Sequence, residues 1–335
     1  MPSKSIGKLN SRSSPAQFRR SLLQWYDANK RDLPWRKNTN PYYVWLSEIM
    51  LQQTRVAAVM DHYRRFMARF PTVEKLANAR EASVLAAWSG LGYYRRARML
   101  YAAARKIVRE HESIFPQTSA ELLALPGVGR YTAAAIASIA FGEPVAVVDG
   151  NVERVLGRIS GKHIRGEKVW ELAGQLLDVN RPGDFNQAMM ELGATVCLPR
   201  QPLCAACPVR RFCRARGALA PVEQSSRQKK RTIRYVLDFR DGSVFMVQRA
   251  REASLMAGLW ELPELEAELH AGTNEDSGEM CLTLRHSITV TDYTVQVVRR
   301  PAPNEAIGKW MPASRAGALP LTGLARKILR KAGII

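Results

Sequence analysis

Leu125-Pro126-Gly127-Val128-Gly129-Arg130-Tyr131 is the stretch on which the fold turns. Glycines at 127 and 129 let the chain reverse through positive φ and leave backbone amides bare at the start of whatever follows. Ser119 to Leu123 before it, N-capped by Thr118 or Ser119, and Tyr131 to Phe141 after it have the composition of helices. Bare amides at a helix N-terminus hold phosphate without reading base sequence. The plainer alternative is an ordinary tight turn between helices. Arg130, and the charge of the whole chain, favour a phosphate site at Gly127, Gly129 and Arg130.

That charge is large. Across 335 residues Lys and Arg number 50 against 30 Asp and Glu, a net +20, and an excess of that size seeks a polyanion, nucleic acid first. The hairpin between helices is then the helix-hairpin-helix pattern of DNA-binding proteins. Working outward, the N-terminal two thirds read as helix: Ala16 to Ala28, one long run from Tyr42 to Phe70 stopped by Pro71, Thr72 to Ala79, Glu81 to Ser89, Arg95 to Glu112, a helix opened by Asp149-Gly150-Asn151 and reaching Ile159, Lys168 to Val179 and Asp184 to Thr195. Residues 217–231 are basic and polar and read as a linker. Beyond them the pattern turns to strand, with Asp241-Gly242 marking a hairpin between Ile233 to Phe239 and Ser243 to Gln248, partial alternation over Ile288 to Val298, and a last helix from Thr322 to Lys331. The expected fold class is a mainly α N-terminal region followed by an α+β domain.

Met1 to Pro15 is Ser- and Lys-rich and lacks the apolar core of a secretory signal. It reads as a DNA-touching arm, with a short transit peptide as the alternative, since no acidic residue precedes Asp27. The Ala-rich run Tyr131 to Phe141 is far short of a membrane span. The expected location is the cytoplasm, at the nucleoid if the protein is bacterial.

Four of the five cysteines, Cys197, Cys204, Cys207 and Cys213, are separated by six, two and five residues, and Cys281 stands alone. An odd, clustered set argues against a disulfide framework and for metal. Spacing alone leaves zinc and an iron–sulfur cluster both open.

Two carboxylates stand out. Glu48 sits inside Val44-Trp45-Leu46-Ser47-Glu48-Ile49-Met50-Leu51, where burial would raise its pKa and let it carry a proton at neutral pH; the alternative is the solvated face of an amphipathic helix. Asp149 follows Val145-Ala146-Val147-Val148 and opens a helix, whose N-terminus favours its ionised form; alone it is equally a plain N-cap. Two carboxyls pushed in opposite directions divide into acid and anion, the division that cleaving an N-glycosidic bond needs.

Taken in order, Leu33-Pro34-Trp35-Arg36, Ser47 to Thr54, Gly90-Leu91-Gly92-Tyr93-Tyr94-Arg95, Leu125 to Tyr131, Asp149-Gly150-Asn151-Val152 and the four cysteines resemble the MutY family of adenine DNA glycosylases, within the endonuclease III superfamily. The resemblance covers about residues 15 to 215. It implies a 4Fe-4S cluster on Cys197, Cys204, Cys207 and Cys213, remote from the chemistry and holding a loop that bears Arg200, Arg210, Arg211 and Arg214. It implies an iron–sulfur helical subdomain of 15–40 with 140–216, and a six-helix subdomain of 41–139. By the same resemblance Glu48 is the general acid toward adenine N7 and later helps activate water, Asp149 stabilises, or transiently bonds to, C1′ of the sugar, and Asn151 orients that carboxylate and the nucleophile. Tyr131 stands where bifunctional relatives carry a Schiff-base lysine, so base removal without strand cleavage is expected. Arg36 matches a residue of the adenine pocket, Gln53 and Tyr93 match residues that fill or wedge the base stack, and Thr54 and Leu91 match contacts to the oxidised guanine. For Leu91 and Tyr93 the alternative is a turn packed on the core.

Residues 232–335 resemble the Nudix-like lesion-recognition domain of that family, most clearly at Gly258-Leu259-Trp260-Glu261-Leu262-Pro263. No Arg-Glu-x-x-Glu-Glu helix follows, so pyrophosphatase activity is not expected. The family's Phe-Ser-His loop has its nearest match in Leu284-Arg285-His286-Ser287, which keeps the histidine but changes the pair before it. His286 and Ser287 are the candidate lesion contacts, with a strand-end histidine as the alternative. The expected partner is double-stranded DNA with an A·8-oxoguanine or A·G mispair, met by a monomer. The rival readings are a thymine or uracil mismatch glycosylase, and a non-enzymatic iron–sulfur DNA-binding protein.

Overall fold

The computed structural model describes residues 14–220, 229–250, 252–253, 256–265, 279–288 and 291–335. The N-terminal arm before residue 14, residues 221–228 of the basic linker and most of the acidic tract after Pro263 lie outside them. The chain forms two compact units, Met1–Ala77 with Ala102–Val222, and Asn78–Tyr101 with Glu223–Ile335.

Among the described residues eleven α-helices precede the cysteines: α1 (Pro15–Asn29), α2 (Pro41–Leu51), α3 (Val56–Arg69), α4 (Val73–Ala77), α5 (Glu81–Trp88), α6 (Tyr94–Glu110), α7 (Ser119–Leu122), α8 (Arg130–Ala140), α9 (Gly150–Ser160), α10 (Glu167–Leu176) and α11 (Pro182–Thr195). Local chemistry fixes several ends. Asn40 caps α2 by accepting from the Tyr42 amide at 2.9 Å, with Pro41 in the first turn. Thr118 and Glu121 form a capping box on α7. Asp149 caps α9, and Gly161 ends it in the left-handed region at φ 77°.

The run from Tyr42 to Phe70, expected as one helix, is two. The break falls at Gln52–Arg55, where Gln53 takes φ 55° and the Gln52 side chain donates to Thr132 Oγ1 of α8 at 3.1 Å. No glycine or proline marks it, so periodicity ran straight through.

In the first unit, Phe18, Leu22 and Tyr26 of α1 pack with Val155 and Leu156 of α9, Phe185 and Leu192 of α11, and Phe212 beyond the helices. The Phe18 ring meets Phe212 edge-on at 5.5 Å between centroids. The segment leading to Asp149 is pinned by Asn186 of α11, which accepts from the Val147 amide at 3.1 Å and donates to Val145 O at 2.9 Å. Nearby, α11 approaches α8 so closely that a Cβ on Gly183 would lie 2.7 Å from Ser138 O and 2.8 Å from Ile139 Cα.

The second unit carries β1 (Lys229–Leu237), β2 (Phe239–Arg240), β3 (Ser243–Gln248), β4 (Trp260–Glu261), β5 (Glu264–Leu265), β6 (Glu279–Ile288), β7 (Thr291–Arg299), β8 (Gly308–Pro312), α12 (Ala313–Ala316) and α13 (Gly323–Lys331). One sheet runs β5-β1-β7-β6, and the other runs β2-β3-β4 with β8 on β3. Asp241 and Gly242 both take positive φ, 49° and 68°, as a type I′ hairpin turn requires. Leu324, Ile328 and Leu329 of α13 pack on Val244, Val295 and Val297 of the sheets. Residues 78–101 join this unit through Tyr94 Oη, which donates to Leu321 O at 2.5 Å, and Arg326 Nε, which donates to Ser89 Oγ at 2.9 Å.

Two expectations change here. The strand after the linker begins at Lys229 rather than after 231, because β1 pairs in parallel with β7 from Lys229↔Thr291 onward. The stretch Leu284 to Ser287, read either as a lesion loop or as a strand end at His286, lies in β6, paired with β7 from Glu279↔Arg299 to Ile288↔Thr291. Among the described residues no helix is long and apolar enough to cross a membrane.

Two glycines of helices should respond to alanine with opposite sign. Gly183→Ala is expected to lose about 1–3 kcal/mol by overpacking, whereas Gly174→Ala, whose Cβ would meet nothing within 4 Å, should hold or raise the melting temperature. Thermal unfolding of the two variants checks both.

Candidate active site

In the first unit, α2, the turn after it, the start of α8, the start of α9 and α11 enclose a cleft of about 810 Å³. Glu48 and Asp149 both line it. Glu48 comes from the buried run of α2 and is only 6% exposed. Tyr131 Oη, from the first turn of α8, donates to Glu48 Oε2 at 2.6 Å. Burial pushes the Glu48 carboxyl up to about 7; the Tyr131 hydrogen bond opposes this, the Asp149 charge adds to it, and Arg36 opposes it again. The Tyr131 phenol is itself held well above its ordinary value by burial and by the two carboxyls, so it stays a donor.

Asp149 serves two roles at once. Its Oδ1 accepts from the Val152 amide at 2.7 Å as the cap of α9, and its Oδ2 accepts from Asn151 Nδ2 at 2.9 Å. Asn151 is oriented in turn by Arg154, whose Nη2 donates to Asn151 Oδ1 and to Gly193 O, both at 2.8 Å. Arg154 Nε donates to Cys197 O at 2.9 Å, which extends a hydrogen-bonded chain from Asp149 to the first cysteine.

A third carboxyl lines the cleft. Glu191 of α11 has a side chain 1% exposed and receives Arg31 Nε at 2.6 Å, Arg31 Nη2 at 2.8 Å and Arg36 Nη2 at 2.8 Å. Burial alone would raise its pKa, but the hydrogen bonds and charges of Arg31 and Arg36 outweigh burial and leave it below the ordinary carboxylate range. The cleft thus holds one carboxyl poised to keep a proton and another held as an anion.

Arg36, Gln53, Thr54, Gly129, Arg130, Tyr131 and Asn151 share this cleft with the two carboxyls. Gln53 is exposed on the turn that splits the expected long helix. Gly127 is exposed at φ 75°, and among the described residues no N-cap side chain accepts from the first amides of α8. Arg130 donates to Glu167 at 2.5 Å, with its guanidinium 4.0 Å over the Trp170 ring. Leu91, Tyr93, His286 and Ser287 belong to the second unit. There Leu91 is buried at 7%, while Tyr93 is 49% exposed at φ 49°. His286 stands opposite Tyr293 and Ser287 opposite Asp292; burial, then the Lys327 charge, lower the His286 pKa.

Sequence reasoning passed over Arg31, Arg154, Asn186 and Glu191. Glu191 carried a signal, since it sits in Met189-Met190-Glu191-Leu192 as Glu48 sits in its own apolar run. Arg31 and Asn186 act through contacts distant in sequence, and Arg154 through one three residues away at Asn151 and others at Gly193 and Cys197.

The four cysteines line one small cavity with Arg158 and Arg210. Arg158 is 4% exposed and donates to Cys197 O, Leu198 O and Pro199 O and to Cys197 Sγ, at 3.2, 2.7, 2.6 and 3.2 Å. These four thiols are the residues that could hold a metal centre.

Residues 46–175 match the HhH-GPD superfamily of base excision DNA repair proteins. A thermostable thymine-DNA glycosylase superposes with a TM-score of 0.57 at 30% identity, over 60% of this chain and 96% of that one. The helical unit is therefore a helix-hairpin-helix base-excision fold. The adenine DNA glycosylase of Schizosaccharomyces pombe is 35% identical over 321 residues, 75% of this chain and 69% of that protein. The chain belongs to the MutY family of adenine DNA glycosylases. It is 54% identical over 213 residues to the adenine DNA glycosylase of Rattus norvegicus, matching 59% of this chain but spanning only 41% of the rat protein.

The buried proton on Glu48 has a consequence for folding. Its pKa of about 7 exceeds the ordinary 4.5, so the folded state holds a proton that the unfolded state releases, and stability falls as pH rises through that window. Glu48→Gln removes the ionisation. Its melting temperature is expected to exceed that of the parent at pH 8, with the advantage shrinking toward pH 5. Equal differences at both pH values would contradict the shift.

Proposed function

We propose that the protein removes adenine from duplex DNA where it faces 8-oxoguanine or guanine, by hydrolysis of the N-glycosidic bond and without strand cleavage. The observation that carries this reading is the pairing, in one cleft, of a buried Glu48 carboxyl hydrogen-bonded by Tyr131 with an Asp149 carboxylate oriented by Asn151.

The chemistry follows from the leaving group. Adenine departs poorly as an anion, so the C1′–N9 bond breaks readily only when a proton reaches the ring, at N7. Glu48 with a pKa of about 7 can deliver it near neutral pH. The bonding pair leaves with adenine, and the positive charge left on the sugar faces the Asp149 carboxylate. Water adds at C1′, and its proton returns to the Glu48 carboxylate. Among the described residues lining the cleft there is no lysine, so no amine is at hand to trap C1′ as a Schiff base.

The adenine DNA glycosylases among the relatives, and the Nudix-like resemblance of the C-terminal unit, argue against thymine removal, although a thymine-DNA glycosylase shares the fold. The target is stacked inside the duplex, so adenine is flipped out to reach the cleft, with Gln53 and Tyr93 filling the stack. The bare amides after Gly127 and Gly129, with Arg130, hold the backbone. Leu91, Thr54, His286 and Ser287 read the opposite base, and the C-terminal unit serves lesion recognition as the Nudix-like resemblance implies. A monomer suffices for one lesion.

Cys197, Cys204, Cys207 and Cys213 fit a 4Fe-4S cluster, which would act as a structural clamp on the Arg-rich loop rather than in bond cleavage. The purified protein is then expected to be yellow-brown, with iron and sulfide in place of zinc. A colourless, zinc-loaded protein would contradict this.

The test of function is single-turnover base release from A·8-oxoguanine, A·G and G·T duplexes. Adenine release from the first two is expected, with Glu48→Gln slowing it by at least about a thousandfold while duplex binding persists. Thymine release with adenine left intact would overturn the reading.

A further inference from the structure

Gly193 lies near the end of α11, two residues after Glu191, where that helix packs against the first turn of α9. A Cβ at this position would stand 2.6 Å from Asn151 Cβ and 3.2 Å from the Asn151 Cα and carbonyl carbon. Non-bonded carbons rest at about 3.5–4.0 Å. None of these atoms is the free end of a flexible side chain, so relief would require the first turn of α9 to move. Asp149 caps that turn, and its Oδ2 is held by Asn151 Nδ2 at 2.9 Å. Gly193 also contributes its carbonyl, which accepts from the Arg154 Nη2 that orients Asn151 Oδ1. Glycine in a helix costs about 1 kcal/mol relative to alanine. Gly174 of α10 has open space where a side chain would stand, so nothing comparable holds glycine there.

We infer that Gly193 is a positioning residue for base excision. Its bare α-carbon is the seat that fixes Asn151 and, through it, the Asp149 carboxylate. The inference rests on the glycosylase reading of the cleft and adds a residue that touches neither substrate nor reacting atoms.

The experiment compares Gly193→Ala with the parent and with Gly174→Ala in the full chain. It measures single-turnover adenine release from an A·8-oxoguanine duplex, duplex affinity and melting temperature. Gly193→Ala should slow release by about a hundredfold, the cost of a catalytic group displaced by about 1 Å, with affinity for the duplex unchanged. Gly174→Ala should release adenine at the parental rate. In an Asn151→Gly background, which removes the closest of the three atoms the new methyl meets, Gly193→Ala should slow release by much less than a hundredfold. Parental turnover in Gly193→Ala, or losses that multiply in the double variant, would overturn the inference while leaving the glycosylase reading intact. Absence of adenine release by the parent would overturn both. If Gly193→Ala does not fold, Asn151→Gly should restore its melting transition, and failure to restore it would equally overturn the proposed contact.

Discussion

A carboxyl group enclosed by an apolar helix face is costly to ionise, and Glu48 meets that constraint by keeping its proton up to about pH 7. Everything else in the cleft is arranged around that proton. The Tyr131 phenol donates to the carboxyl and so restrains the shift, while Asp149 reinforces it across the same space. Removing burial would leave an ordinary ionised glutamate, and the cleft would hold anions with no acid among them. Burial is therefore the source of the chemistry as well as of the fold.

The second organising element is α11. It presents Glu191 to the cleft as an anion clamped by Arg31 and Arg36, pins the strand-like approach to Asp149 through Asn186, and passes α8 and α9 closely at Gly183 and Gly193. The hydrogen bonds from Asp149 through Asn151 and Arg154 to Cys197 O tie the capped end of α9 to the cysteine loop. Arg158 repeats the tie one turn later by donating to three successive carbonyls of that loop. Order in the cysteine loop and order at Asp149 are thus mechanically connected.

Much of this was legible in the sequence because its signals are local. The Pro-Gly-Val-Gly hairpin, the Asp149 cap and the Asp241-Gly242 turn each depend on residues within one turn of each other, and the four cysteines fall between 197 and 213. Glu48 announced itself by polarity out of place. The split of the expected Tyr42 to Phe70 helix was hidden because Gln52 to Arg55 contain no helix breaker; the turn is stabilised by Gln52 reaching Thr132, eighty residues on. The strand through Leu284 to Ser287 was half legible: Leu282, Leu284 and His286 alternate with the exposed Thr283 and Arg285, and pairing with β7 decides for the strand-end histidine over the loop. Arg31 was missed because its partner Glu191 lies far along the chain, and so do the Gly193 and Cys197 partners of Arg154. The joining of residues 78–101 to the C-terminal unit likewise has no local signal.

The claim that a neutral Glu48 is the proton donor is tested most directly by the pH dependence of the single-turnover rate of adenine release. The rate should be level on the acid side and fall about tenfold per pH unit once pH passes the Glu48 pKa of about 7. A rate that stays constant or rises between pH 7 and pH 9 would contradict it.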